Sequence, residues 1–229
     1  MSDVYDDYRD EFRKRVLGGR PRTVLEVGAG DGAFLKTIKG QVDRLCGLDP
    51  SAEQVAKLKM DGFEAVEGVA ERLPFADGEF DIVVFSFTPH HVSDWSAALN
   101  EAMRVARNGV EILDVWYDDT IADQRTSHAL DRWYKEIDRR TGMLHNNTLT
   151  PGEMLAPVLA RRDVTYDYAC RRIASPLSIA ETVEHGRAKL AKVANDPGLS
   201  RQFDEIIAAG HRDGMSDEGA IMMTIEKRR

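Results

Sequence analysis

Cysteine is scarce: Cys46 and Cys170 are the only two in 229 residues, too few for a disulfide framework or a zinc site. The expected compartment is therefore a reducing cytoplasm. No apolar run approaches the roughly 20 residues that a membrane-spanning helix needs. The opening MSDVYDDYRDEF is acidic and lacks the basic-then-apolar order of a secretory signal. No basic run interrupts a composition of 31 basic and 39 acidic side chains, a formal net charge of −8 that repels nucleic acid and anionic lipid. Repeats and low-complexity stretches are absent too. What remains is 42% hydrophobic and 31% charged, the make-up of one globular domain whose expected partner is a small molecule.

The first half alternates strand and helix signals. Thr23–Gly28 is a β-branched run ending in a glycine turn, followed by a helix to about Ile38. Arg44–Asp49 reads as a second strand, and Ser51 caps the helix after it. Phe63–Val66 and the apolar Phe80–Phe87 read as the third and fourth strands, Trp95–Arg107 as an amphipathic helix, and Val110–Trp116 as the fifth strand. Such alternation predicts a parallel sheet covered on both faces. After Tyr117 the signals are mostly helical: Thr120–Arg140, Thr150–Arg162 with a bend at Pro157, Pro176–Ala194 and Leu199–His211. Val164–Ile173 and Ala220–Ile225 complete the strands.

Glu26-Val27-Gly28-Ala29-Gly30-Asp31-Gly32-Ala33 follows a strand and opens a helix, the context of a nucleotide or nucleoside turn. Glycine lets the backbone turn tightly and a ligand approach where a Cβ would collide. Asp49 lies twenty-one residues after Gly28, placed to accept hydrogen bonds from ribose hydroxyls. Glu26 and Asp31 would face the pyrophosphate of a dinucleotide with negative charge. S-adenosyl-L-methionine has no phosphate and carries an ammonium and a sulfonium, so it suits this turn.

Glu26–Gly32, Gly47-Leu48-Asp49-Pro50, Ala70-Glu71-Arg72-Leu73-Pro74-Phe75, Phe80-Asp81-Ile82-Val83-Val84 and Glu101–Val105 together resemble a class I S-adenosylmethionine-dependent methyltransferase. The nearest type is that of ubiquinone and menaquinone biosynthesis. The resemblance runs from about Arg20 to Trp116. It implies an α/β fold: a seven-stranded Rossmann-like sheet with the last strand antiparallel and helical cap insertions. A single domain then divides into an amino-terminal lid (1–19), a cofactor-binding core (20–117), a cap (118–162 and 174–213) and final strands (164–173 and 219–227). It further implies that Gly28, Ala29 and Gly30 hold the methionine end near Glu26, that Asp49 takes the ribose and that Pro50 lies against the adenine. Ala70 then offers its N–H to the adenine, and Ser86 lies beside the methyl group. The chain departs from relatives in having Val69 where an aspartate often reads the adenine amino group, leaving Glu71 or water to serve. The Pro-Gly-Gly turn before the fifth strand is reduced to Asn108-Gly109, and Pro89 precedes the histidine pair.

In-line methyl transfer needs alignment and exclusion of water, and a base only where the acceptor arrives protonated. His90 and His91 follow the fourth strand and are candidate bases or packed structural histidines. Trp116 and Tyr117 either close a core or wall a flat pocket. Tyr5, Tyr8 and Phe12 form a stripe that either packs on the sheet edge or covers the cofactor. In the covering arrangement Tyr8 faces the methyl, and Arg9 or Arg13 pairs the methionine carboxylate. Trp133 and Asn146 are candidate acceptor contacts, beside Tyr134, Met143 and His145. Asp114, Asp118 and Asp119 lack the companions of a metal site, so no metal is expected. The expected function is methyl transfer to a small acceptor, a flat heteroaromatic or phenolic metabolite methylated on nitrogen or oxygen. The alternatives are a cofactor-binding protein with a non-methylating or regulatory role, and a protein methyltransferase.

Overall fold

The computed structural model describes residues 4–228, with side chains from Asp7 onward. The chain runs α1 (Val4–Gly18), β1 (Thr23–Val27), α2 (Ala33–Ile38), β2 (Arg44–Asp49), α3 (Ala52–Met60), β3 (Glu64–Glu67) and β4 (Phe80–Ser86). It continues through α4 (Trp95–Val105), β5 (Ala106–Trp116), α5 (Ala122–Arg140), α6 (Pro151–Leu155), β6 (Val164–Arg171), α7 (Ile179–Ala191), α8 (Pro197–Asp213) and β7 (Gly219–Lys227). The seven strands form one sheet in the order β3-β2-β1-β4-β5-β7-β6. Pairings from β3 to β5 are parallel, and the last strand is antiparallel. No described helix is long and apolar enough to cross a membrane.

Two compact units divide the chain. The first holds residues up to Asp114, Leu149–Ala169 and from Ile221 on; the second holds Val115–Thr148 and Cys170–Ala220. In the first, β1, β4 and β5 bury Val24, Leu25, Val83, Phe85, Ile112 and Leu113, the continuous apolar pattern of a covered parallel sheet. Phe12 of α1 is fully buried, its ring centroid 5.3 Å from that of Phe34 on α2. The side chain of Tyr5 lies outside the described residues. The second unit packs Leu130, Trp133 and Ile137 of α5 against Leu190, Leu199 and Phe203.

Several boundaries differ from expectation. Arg107, Asn108 and Gly109 belong to β5, because Gly109 leaves room for the Ile225 carbonyl, which would lie 2.3 Å from a Cβ there. The stretch 150–162 is not one bent helix. A capping box at Thr150 and Glu153 starts α6, which ends at Leu155, and the residues before and after Pro157 form turns. This stretch belongs to the first unit, not to the helices of the second.

Candidate cofactor site

A cavity of about 450 Å³ opens at the carboxyl ends of β1 and β4, where open α/β sheets bind ligands. Strand ends supply Glu26, Gly28, Ala29, Gly30, Ser86, Phe87 and Leu113. Helix α1 supplies Arg9, Asp10, Phe12 and Arg13, the last held by Asp10 at 2.6 Å. The amino-terminal segment thus contributes to the site, but through its arginines: Tyr8 is buried and does not line the cavity.

The glycines divide their work in a way sequence does not show. Gly30, at φ 51°, has nothing within 4 Å of where a Cβ would stand, leaving its backbone open to a ligand. Gly28, at φ 73°, makes room for protein instead: a Cβ there would come within 2.3 Å of the Thr88 methyl. The single Thr88 hydroxyl proton is shared between the Ser86 carbonyl at 3.1 Å and the Gly28 carbonyl at 3.4 Å. The turns after β1 and β4 are therefore locked together.

Asp49 accepts the Gly30 N–H at 2.8 Å and the Ser51 N–H at 2.9 Å. It shapes the glycine turn, and each carboxylate oxygen keeps acceptor capacity for a ribose hydroxyl. Glu26 is 2% exposed, and its Oε2 has no hydrogen-bond partner among the described residues. Burial pushes its carboxyl well above the usual range, a backbone hydrogen bond near Leu35 pulls it back, and Asp31 and Asp49 push it further up. An orphaned buried acid at the wall of a cavity fits a ligand that brings a cation. The ammonium and sulfonium of S-adenosyl-L-methionine satisfy that demand, and the phosphates of a dinucleotide do not.

The adenine-side expectations fall outside the cavity lining. Pro50 is exposed, Ala70 is buried, and the Glu71 carboxylate accepts the N–H groups of Ser93 and Asp94 ahead of α4. His90 is 7% exposed in the turn Pro89–His91, and its Nδ1 meets Asp114 Oδ1 at 2.6 Å. Asp114, fully buried, is a partner the sequence hid, because it seemed to belong with Asp118 and Asp119. Those two are engaged separately, with Thr120 and with His128. Phe34, Phe87 and Leu113 also line the cavity, with Thr37 beside them; such apolar positions carry no sequence signal of their own.

In the second unit Tyr117 stacks on His128 with ring centroids 4.7 Å apart, and Trp116 and Asn146 are half-buried. Trp133 corrects the expectation of an acceptor contact. Its indole is 4% exposed, donates to the Leu199 carbonyl at 2.9 Å and stacks on Phe203, so it is a core residue.

The comparisons agree with this geometry. The model of a methyltransferase domain family matches residues 25–113. The demethylmenaquinone methyltransferase of Beutenbergia cavernae is 40% identical over 97 residues, 41% of this chain and 40% of that protein. The YcgJ methyltransferase of Bacillus subtilis is 32% identical over 115 residues, 46% of each chain. The chain thus spans less than half the length of these curated relatives. Over whole folds, the YcgJ crystal structure superposes with a TM-score of 0.66 at 19% identity, covering 96% of this chain and 99% of that one. The [4+2]-cyclase SpnF superposes at 0.57 with 18% identity, covering 95% and 80%. Its sheet, its glycine turn and its matched domain are thus similar to those of class I S-adenosylmethionine-dependent methyltransferases.

Proposed function

We propose that the protein transfers a methyl group from S-adenosyl-L-methionine to a small, flat acceptor, a heteroaromatic or phenolic metabolite methylated on nitrogen or oxygen. The observation that carries this reading is the orphaned Glu26 oxygen at the wall of a cavity beside the open backbone of Gly30. The cofactor, when bound, supplies an activated methyl on a sulfonium. Glu26 meets its ammonium, Arg9 and Arg13 its carboxylate, and Asp49 its ribose. Helix α1 screens the cavity from water. Where the acceptor arrives protonated, His90 is the base. Asp114 keeps the proton on Nδ1, which makes Nε2 the nitrogen that accepts one.

A second reading, cofactor binding without methylation, draws on SpnF, whose chemistry is cyclisation on the same fold. Calorimetry against S-adenosyl-L-methionine and NAD, followed by mass spectrometry of a metabolite extract incubated with protein and labelled cofactor, separates the outcomes. Binding of S-adenosyl-L-methionine with transfer of label to a small molecule supports methylation. Binding without transfer supports the second reading, and binding of NAD alone defeats both.

A further inference from the structure

Among the described residues, four other than glycine have left-handed backbone: Arg20, Phe87, Ala194 and Asn195. Three of them are exposed in turns, where small or polar side chains tolerate such angles. Phe87 differs. It is aromatic, half-buried, and lines the cavity at φ 53°. A bulky side chain is costly to hold there, so the surroundings must impose the conformation. They do so from both sides. The Phe87 N–H donates to the Leu113 carbonyl at 2.7 Å. Next in the chain, Thr88 takes helical angles (φ −116°, ψ −32°) directly before Pro89, a region that proline disfavours. Thr88 is held in them by its bonds to Gly28 and Ser86 and by the space that Gly28 leaves for its methyl. Two successive residues are thus bent against local preference, and the result is an aromatic ring in the cavity wall.

Phe12 and Phe34 also line the cavity, but both are buried. Phe87 is the half-exposed ring, on the strand-end wall that also carries Glu26, whereas α1 brings two arginines that would repel a cation. We propose that Phe87 is a specificity residue whose ring faces the sulfonium, so that the cavity favours the charged methyl donor over the uncharged thioether left after transfer. This rests on the cofactor reading above. An aromatic face attracts a cation more strongly than it attracts a neutral thioether of the same shape. The preference lets product leave as fresh donor enters.

The test compares three ligands by calorimetry: S-adenosyl-L-methionine, sinefungin, which carries an amine in place of the sulfonium, and S-adenosyl-L-homocysteine, the thioether. Phe87→Leu should weaken both cationic ligands about fivefold and the thioether distinctly less. Phe87→Tyr should keep the wild-type ratio. Phe87→Gly accepts the left-handed backbone without strain, so it loses the ring while keeping the turn and should reproduce the leucine result. Equal losses for all three ligands, or none, would overturn the proposal while leaving the cofactor reading intact. Failure of the wild type to bind any of them would overturn both.

Discussion

In the second unit Lys135 is 2% exposed, yet its ammonium meets Asp131 at 2.8 Å and Thr148 at 2.6 Å. Nearby, Asp138 is held by Lys189 at 2.5 Å and His145 at 3.0 Å, and Gln124 donates to Ser216 and Asp217. In the first unit Glu26 is equally buried, and its Oε2 meets nothing among the described residues. Buried charge that finds its partner within the chain fastens helices together. A buried acid without one is pushed toward its neutral form, and a ligand that brings a cation relieves it. The contrast separates framework from function without reference to any relative.

The sharpest way to break this contrast is to orphan a charge in the second unit. Asp131→Ala leaves the Lys135 ammonium without its carboxylate and should destabilise the protein by about 4 kcal/mol in urea unfolding. Cofactor affinity in the folded variant should not move. A loss under about 1 kcal/mol would mean the pair is as dispensable as a surface one.

Next in size is Glu111, buried in β5 with its carboxylate accepting the Thr224 hydroxyl at 2.7 Å. Burial pushes this carboxyl from 4.5 up to about 7, partly offset by the Thr224 bond and Arg15, with Glu226 and Asp167 pushing the same way as burial. Above pH 4.5 the folded state holds a proton that the unfolded state releases. Stability is therefore fully present below that pH and declines as pH rises through about 7, by about 3 kcal/mol in total. Glu111→Gln keeps an acceptor for Thr224 and should flatten the profile. An unchanged slope between pH 5 and 8 would show that Glu111 stays ionised.

The third test turns on Glu26 itself. Glu26→Gln should weaken S-adenosyl-L-methionine by about 2 kcal/mol while leaving stability at neutral pH the same or higher, since burial disfavours the ionised acid and the amide carries no charge to bury. The raised carboxyl must ionise to meet the ammonium, so wild-type affinity should rise with pH, and the variant should lose that rise. If the variant proves both unstable and fully able to bind, Glu26 belongs with the framework and the contrast between the units fails.

The same physical split explains what could be read in advance. The turn after β1 was legible because Gly28, Gly30 and Asp49 are local signals with a fixed spacing, each tied to a backbone requirement. The sheet was legible because its strands are continuous apolar runs. The start of β5 was not, since Arg107-Asn108-Gly109 has the composition of a turn and becomes strand only where β7 lies alongside. The place of Trp133 was not legible either, because an aromatic on a helical stripe has the same pattern whether it faces a core or a ligand.

By itself the sequence determined the alternating fold, the acidic character of the glycine turn and the chemistry of its ligand, because periodicity, backbone freedom and charge sign are properties of short stretches. Only the tertiary structure decided which glycine faces the ligand and which faces Thr88, that Asp114 serves His90, and that Phe87 is bent into the cavity wall. Each of these joins residues from different strands or turns, 24 positions apart for His90 and Asp114 and 60 for Gly28 and Thr88. Partners so far apart in the chain are chosen by the register of the sheet, which no local pattern contains.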